Sequence, residues 1–189
     1  MKIEWLGHSC FRINNSLIID PYKDGSVPGY DQLRISADKV ICTHEHADHA
    51  GRECISLTGE ECPLKIREVM SWHDDKNGAL RGPNTIFIVE CDGEKLVHLG
   101  DLGHFPNNDQ LAAIKDVDYL LIPVGGHYTI DGAIATIICE SARPKIAIPM
   151  HYRWDKYGYR EISTVDVFMK AMRDIGLDGI VELPTLTTA

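Results

Sequence analysis

The sequence predicts an α/β (α+β) protein in which a mixed sheet system is covered by helices, and three observations support this prediction. The first half of the 189 residues contains short strand-like runs separated by turns. The second half alternates apolar strands with helices, which is typical of sheets covered by helical layers. No repeat, low-complexity tract or Pro/Ser-rich linker divides the chain, so we expect one domain over residues 1–189.

The first half begins with a predicted meander of three strands at residues 2–6, 10–13 and 17–20. Residues 14–16 (Asn-Asn-Ser) are typical of a tight turn. Residues 21–34 are rich in Gly, Pro, Asp and Tyr, which indicates a loop. We expect this loop to roof the functional site and to act as a lid.

Four further strands are predicted before the midpoint of the chain, at residues 40–43, 65–72, 85–91 and 95–99. The last two are expected to form a hairpin, because the Asp-Gly pair between them favours a two-residue turn.

The second half contains three predicted helices and two predicted strands. Helical spacing covers residues 108–115, 131–141 and 164–175, and the second of these helices opens with Asp131 as its cap. Apolar strands are expected at residues 119–124 and 145–149.

Composition narrows the classes of partner. The formal net charge of -9 and the lack of a Lys/Arg-rich segment argue against nucleic acid, so we expect a small-molecule substrate. No stretch approaches the length of a membrane span, and residues 1–7 do not resemble a signal peptide. The six cysteines include no CxxC pair, and we expect free thiols in a cytoplasmic protein. Whether the chain forms a homo-oligomer stays open.

A dense cluster of potential metal ligands follows the strand at residues 40–43. Its ligands are His44, His46, Asp48 and His49. Imidazole binds zinc-like cations at neutral pH, and a carboxylate adds compensating charge. A helix would place His44 and His46 on different faces, so the cluster fits a loop that leaves a strand.

Three more potential ligands stand at the ends of other predicted strands: His73, Asp101 and His151. Strand ends are where α/β proteins assemble their sites. Together with the cluster they make five histidines and two aspartates. This number is too large for one tetrahedral ion and suits two ions that share a bridging ligand.

The HxHxDH pattern at residues 44–49, the later His73, the Gly100-Asp101 step and the strand-terminal His151 resemble the metallo-β-lactamase superfamily. Within it, the chain looks most like the compact branch of L-ascorbate-6-phosphate lactonase-like proteins. That closer resemblance rests on four segments, at residues 7–11, 19–21, 125–131 and 149–152, and the likeness runs from about Ile3 to about Tyr152. The resemblance implies an αββα sandwich, the metallo-β-lactamase fold.

By position, the resemblance implies two divalent metal ions, zinc in the first place, with manganese or iron as alternatives. It assigns a first ion to His44, His46 and His73, and a second to Asp48, His49 and His151. Asp101 would bridge the two ions, with a hydroxide between them as the nucleophile. Asp48 would also act catalytically by orienting that nucleophile and moving its proton. Asp20 resembles the family's early aspartate, which accepts a hydrogen bond from a ligand imidazole.

Four other histidines are open to two interpretations. His8 either supports the site from behind or is a core histidine paired with a carbonyl group. His98 lies within a strand, which favours a structural role. His104 and His127 follow strand ends, and each either faces the substrate or lies in solvent.

Two arginine-bearing segments are candidates for binding an anionic group of the substrate: Arg81, and Arg153 in the run at residues 152–154. Arginine suits this role because its planar fork matches carboxylate and phosphate. Glu45, within the cluster, is expected to point outward.

These observations predict a binuclear metal-dependent hydrolase that acts on an ester, lactone or phosphodiester bond of a small molecule. Two alternatives stay open on the same fold: an iron-dependent, persulfide dioxygenase-like oxidoreductase, and a non-catalytic metal-binding protein. Flavodiiron-type oxidases fit poorly, because they resemble HxExDH and His46 stands in place of the carboxylate.

Overall fold

The computed structural model describes residues 1–187 and contains two main sheets. The first sheet has the order β1-β2-β3-β5 and comprises β1 (Ile3–Gly7), β2 (Cys10–Ile13), β3 (Leu17–Ile19) and β5 (Lys39–Ile41). β1, β2 and β3 are antiparallel neighbours, and β5 joins β3 in parallel.

The second sheet has the order β11-β10-β9-β8-β7. It comprises β7 (Lys65–Trp72), β8 (Pro83–Cys91), β9 (Glu94–His98), β10 (Tyr119–Pro123) and β11 (Ile146–Met150). β7, β8 and β9 are antiparallel, and β9, β10 and β11 are parallel. The predicted hairpin between β8 and β9 is confirmed, and Asp92 and Gly93 both adopt positive φ, as the tight turn requires.

Three α-helices are present in the described part of the chain: α1 (Asn108–Ile114), α2 (Gly132–Ala142) and α3 (Asp166–Asp174). The predicted cap of α2 is confirmed, because the Asp131 side chain accepts a hydrogen bond from the backbone N–H of Ile134 at 2.9 Å. Short 3₁₀ turns occur at Arg52–Cys54 and Asp178–Ile180.

Two hydrophobic clusters lie on opposite faces of the first sheet. The larger lies between the two sheets and beneath α2 and α3. In β3, all three residues are buried: Leu17 and Ile19 belong to this cluster, whereas Ile18 belongs to the smaller one. The alternation follows from the two-residue period of a strand, so β3 contributes to both cores.

The loop at residues 21–34 forms much of the smaller cluster, so the expectation that it acts as a lid over the site is wrong. Tyr22, Val27, Tyr30 and Leu33 are buried against the outer face of the first sheet. The backbone N–H of Lys23 also donates to the carbonyl of Ala47 at 2.8 Å. The loop therefore supports the histidine-rich segment from the side.

The prediction missed two strands of three residues each. β4 (Ile35–Ala37) and β6 (Ile55–Leu57) pair in parallel as a separate two-stranded sheet. Three residues are too few for a period of two to be recognised. Within residues 1–187, none of the helices has the length and apolar character of a membrane span.

Candidate metal centre

All seven predicted ligands lie together, because the strands that carry them end at the same edge of the sandwich. The histidine loop follows β5, His73 follows β7, Asp101 lies beyond β9, and His151 follows β11.

Asp101 occupies the centre of this arrangement. Its Oδ2 lies 3.2 Å from the Nε2 atoms of both His73 and His151, and 3.9 Å from Nε2 of His44. Its Oδ1 lies 3.2 Å from Nε2 of His49. The two oxygens of one carboxylate therefore reach histidines from both predicted ligand sets.

The ligand atoms form overlapping groups in which all members lie within 4.8 Å of one another. One group is His44, His46 and His73, the set that the family resemblance assigns to the first ion. A second group is Asp48, His49 and His151 together with His8, and a third is His44, His49 and Asp101. His8 is the one residue that the predicted sets did not include.

The buried donor atoms of this cluster fit a cation. Six buried atoms of the seven proposed ligands lack a hydrogen-bond partner: Nε2 of His44 and of His49, Nδ1 of His73, both ring nitrogens of His151, and Oδ1 of Asp101. A buried polar atom without a partner costs about 1–3 kcal/mol, and bound cations are a common way to satisfy such atoms. Neutral imidazoles and carboxylates are also the ligands that zinc takes in proteins.

Asp20 orients two of these histidines, in the supporting position expected from the sequence. Its Oδ2 accepts hydrogen bonds from Nδ1 of His49 at 2.7 Å and from the Thr43 hydroxyl at 2.6 Å. The Thr43 hydroxyl in turn lies 3.0 Å from Nδ1 of His44 and accepts from it. Each imidazole therefore holds its proton on Nδ1 and presents Nε2 toward Asp101.

The charges of the cluster follow from burial and from its own members. Burial, reinforced by His49, lowers the pKa of His44 to about 3, so its Nε2 lone pair is available to a cation. Burial also opposes the charge on His49, but Asp101, Asp48 and Asp20 together raise the pKa of His49 well above its usual value. In the absence of metal, this raised pKa favours the charged form of His49, which holds a second proton on Nε2 beside Asp101 and Asp48.

His8 belongs to the centre. Its side chain is fully buried, its ring centroid lies 4.1 Å from that of His151, and its Nε2 lies 3.3 Å from Oδ2 of Asp48. Burial, followed by the repulsion of His151, lowers the pKa of His8 to about 4. The structure thus favours the first of the two interpretations left open by the sequence.

His98, His104 and His127 do not face the centre. His98 is buried and structural: Nε2 donates to the carbonyl of Ser9 at 2.9 Å, and Nδ1 accepts the N–H of Gly100 at 3.0 Å. His104 accepts the N–H of Trp72 at 3.2 Å, and so covers the outer edge of β7. His127 is exposed; its carbonyl accepts a hydrogen bond from Arg81, and its ring packs edge to face on Tyr128 with 4.5 Å between centroids. Neither imidazole is among the residues that line the opening above the centre, and a contact of either one with substrate stays a prediction.

The opening above the centre has a volume of about 340 Å³ and is lined by residues from five segments of the chain. These residues are His46, Asp48, His73, Arg81, Asp101, Tyr128 and Tyr159. Tyr128 and Tyr159 were not predicted, because aromatic residues in loops give no sequence signal of their own. Arg153 lines a neighbouring cleft instead, and Glu45 points outward into an ion pair with Arg52 at 2.7 Å.

Comparison with known proteins gives consistent matches. Residues 2–151 match the family model described as the beta-lactamase superfamily domain. A UPF0173 metal-dependent hydrolase of Archaeoglobus fulgidus is 30% identical, over 94% of this chain and 93% of its own length.

Solved structures agree with these sequence matches. A proposed Zn-dependent hydrolase of the metallo-β-lactamase superfamily from Thermotoga maritima is 31% identical, with a TM-score of 0.67 over 89% of this chain and 84% of that chain. An isothiocyanate hydrolase from Delia radicum gut bacteria shares the fold at 14% identity, with a TM-score of 0.74 over 98% and 97% of the two chains. The fold predicted from the sequence is confirmed.

Proposed function

The chain belongs to the metallo-β-lactamase superfamily and is a metal-dependent hydrolase, and on this basis we propose that it uses two divalent metal ions to hydrolyse an ester, lactone or phosphodiester bond of a small molecule. The observation that carries the proposal is the position of Asp101. Its Oδ1 lies 3.2 Å from Nε2 of His49, and its Oδ2 lies 3.2 Å from Nε2 of both His73 and His151, so this one carboxylate reaches histidines of both proposed ligand sets.

The proposed ligand assignment keeps the predicted sets. His44, His46 and His73 would hold one ion, and Asp48, His49 and His151 the other, with Asp101 shared. Two ions held in this way would lower the pKa of a shared water toward neutrality and polarise the bond under attack. The histidine-rich ligand set favours zinc over manganese or iron, and the similar Thermotoga maritima protein is itself described as Zn-dependent.

Asp48 is the proposed catalytic residue, because its carboxylate lines the opening as well as the ligand cluster. Its Oδ2 is held between His8 at 3.3 Å and His49 at 3.6 Å. Although burial acts in the opposite direction, His49 and His8 keep the pKa of Asp48 below its usual value. Asp48 therefore stays ionised and can accept a hydrogen bond from the attacking water, which orients that water toward the substrate.

The aromatic side chains would confine the substrate and restrict bulk water. Tyr128 and Tyr159 meet edge to face across the opening, with ring centroids 5.8 Å apart. The Tyr159 hydroxyl donates to the carbonyl of Ser26 at 2.8 Å, which fixes its ring beside His8. Burial, followed by the nearby Asp48, raises the pKa of Tyr159, so its hydroxyl remains protonated.

We further propose a cytoplasmic location and a small-molecule substrate rather than nucleic acid. All six cysteines are unpaired, and Cys10 and Cys139 are buried, as suits a reducing compartment. The net charge of -9 disfavours a polyanionic partner.

The test is a metal-quantified activity screen. Protein stripped by chelation and reloaded with zinc, manganese or iron is assayed on lactones, phosphodiesters and thioesters, with metal content measured for each preparation. We expect about two ions per chain and activity that chelation abolishes reversibly. Undiminished hydrolysis by metal-free protein would end the proposal. Oxygen uptake on a persulfide by the iron-loaded form alone would favour the dioxygenase alternative, and metal binding without turnover would favour the non-catalytic one.

A further inference from the structure

We propose that Arg81 forms an anion-binding subsite beside the metal centre, so that the substrate is a small molecule with a carboxylate or phosphate group close to the bond that is hydrolysed. This inference rests on the proposed hydrolase function and specifies its substrate class. Arg81 is the one cationic side chain among the described residues that line the opening.

The guanidinium of Arg81 is held at the rim by two contacts. Its Nη2 donates to the carbonyl of His127 at 3.1 Å, and its Cζ lies 5.8 Å from the centroid of the Tyr128 ring. A guanidinium has five N–H donors in a rigid fork, so one hydrogen bond to a carbonyl leaves enough donors for a bidentate anion. The contact with Tyr128 also restricts the side chain before substrate arrives.

The backbone of Arg81 is fixed by Asp74, which directly follows the ligand His73. The Asp74 carboxylate accepts four backbone N–H groups of the connecting loop, including that of Arg81 at 2.7 Å and that of Leu80 at 3.0 Å. Asp74 is itself buried, with 3% of its surface exposed. The loop at residues 74–81 therefore links the backbone of Arg81 to the proposed metal ligand His73. This link fixes the position of the subsite relative to the centre.

Arg81 also lacks a charge partner within the described residues. Arg34 and Arg52 are paired with carboxylates, whereas Arg81 forms no ion pair with residues 1–187. Arg67, Arg153 and Arg160 also form none within these residues, but they do not line the opening. The carboxylates nearest to the opening, Asp48 and Asp101, are engaged by histidines. An unpaired arginine at a catalytic opening is the side chain that carboxylate and phosphate groups bind through charge-assisted hydrogen bonds.

The first experiment measures binding without turnover. Metal-loaded protein is titrated with three ring compounds of similar shape: cyclopentanecarboxylate, cyclopentyl phosphate and the neutral cyclopentanecarboxamide. The variants are Arg81→Gln, Arg81→Lys and, as a matched control, Arg67→Gln. Arg67 is exposed on β7 and lies outside the opening.

We expect Arg81→Gln to weaken binding of the preferred anion by about 10- to 100-fold, which is the range for a lost hydrogen bond to a charged group. Arg81→Lys should retain part of the affinity, because it keeps the charge and loses the fork. Binding of the amide, the metal content and the melting temperature should not change, and Arg67→Gln should match the wild type. The anion, carboxylate or phosphate, whose binding is weakened more by Arg81→Gln is the one that the subsite recognises.

The second experiment measures turnover of a five-membered lactone that carries a ring carboxylate and of the same lactone with a carboxamide. We expect Arg81→Gln to raise KM for the anionic lactone by a larger factor than KM for the amide, so that the preference of the enzyme for the anionic lactone falls. If neither lactone is hydrolysed by metal-loaded protein, hydrolysis of lactones is excluded, while the binding experiment still decides the subsite. Equal loss of affinity for anion and amide, or no loss for either, would overturn the Arg81 proposal.

Discussion

Replacing Asp20 with asparagine should lower the affinity of the protein for both proposed metal ions, although Asp20 is not one of their proposed ligands. The side chain is fully buried and accepts three hydrogen bonds of 2.6–2.7 Å, two from Thr43 and one from His49. Through the Thr43 hydroxyl it also orients His44. The proposed ligand sets assign His44 and His49 to different ions, so one carboxylate supports both halves of the centre.

The magnitude follows from these contacts. Loss of a partner that orients a ligand histidine typically lowers metal affinity by about 10- to 100-fold. Asp20→Asn should therefore lower the affinity for each ion by about this factor. Asparagine has the same size as aspartate, so the substitution removes the charge and leaves the packing in place. Thr43→Val removes the link to His44 and leaves the bond from His49 to Asp20 in place. Thr43→Val should therefore lower the affinity only for the ion held by His44, His46 and His73.

The assay is a competition titration of zinc against a chromophoric chelator, in which the two binding steps are fitted separately. His151→Ala protein, which should hold only the ion at His44, identifies which step belongs to which ion. The reasoning would be refuted if Thr43→Val weakened both steps equally, or if Asp20→Asn left both steps at their wild-type values.

Three further predictions test the centre itself. His151→Ala should lose one of two metal ions per chain by elemental analysis, and retention of both would contradict the ligand assignment. Asp101→Ala should reduce both metal occupancy and hydrolysis, since its oxygens reach His73 of one proposed set and His49 and His151 of the other; loss of only one ion would contradict the bridging role. Metal binding near pH 7 should release about one proton per chain, because the raised pKa of His49 keeps it protonated in metal-free protein. The same proton stabilises the metal-free fold fully below a pH of about 6.5, and this contribution to stability is lost as the pH rises through the pKa of folded His49. Because this proton competes with the metal for His49, metal affinity should increase with pH. Calorimetric titrations in buffers of different ionisation enthalpy measure the release, and an unchanged heat across buffers would exclude it.

The positions of the ligands could be predicted from the sequence because they depend on strand ends. Each of His73, Asp101 and His151 follows a run of residues that is long enough to be recognised as a strand. Strands that share a sheet bring their ends to a common edge, so ligands far apart in the chain were expected to meet there.

The directions of loop side chains could not be predicted in the same way. His104 lies three residues after Asp101, yet it covers the edge of β7, because its Nε2 reaches the N–H of Trp72. The loop at residues 21–34 was recognised as irregular from its glycines and prolines. Its tyrosines pack into the smaller cluster, and no short-range pattern reports such a long-range contact.

The backbone at the strand ends explains how these side chains are turned inward. His8, Asp20 and His151 each have a φ of 52°, in the left-handed region that residues other than glycine rarely adopt. Such conformations cost about 1–3 kcal/mol each and persist only where neighbouring contacts enforce them. Those contacts are present: the carbonyl of His8 accepts the indole N–H of Trp5 at 3.0 Å, and the N–H of Asp20 donates to Ile41 at 3.0 Å.

Gly100, which precedes Asp101, also has a positive φ, and here a side chain is excluded by its neighbours as well. Its φ is 57°, and a Cβ at this position would lie 2.3 Å from Oδ1 of Asn84 and 2.7 Å from Cβ of Thr43. That same Asn84 oxygen accepts the N–H of Asp101 at 3.0 Å. The glycine thus allows β9 to end against both Asn84 and the segment that leads to His44, which places the Asp101 carboxylate between the two ligand groups. Glycine before Asp101 is therefore sterically required for the Asp101 carboxylate to take this position. The positive φ values at the strand ends occur where ligands from the two sheets meet.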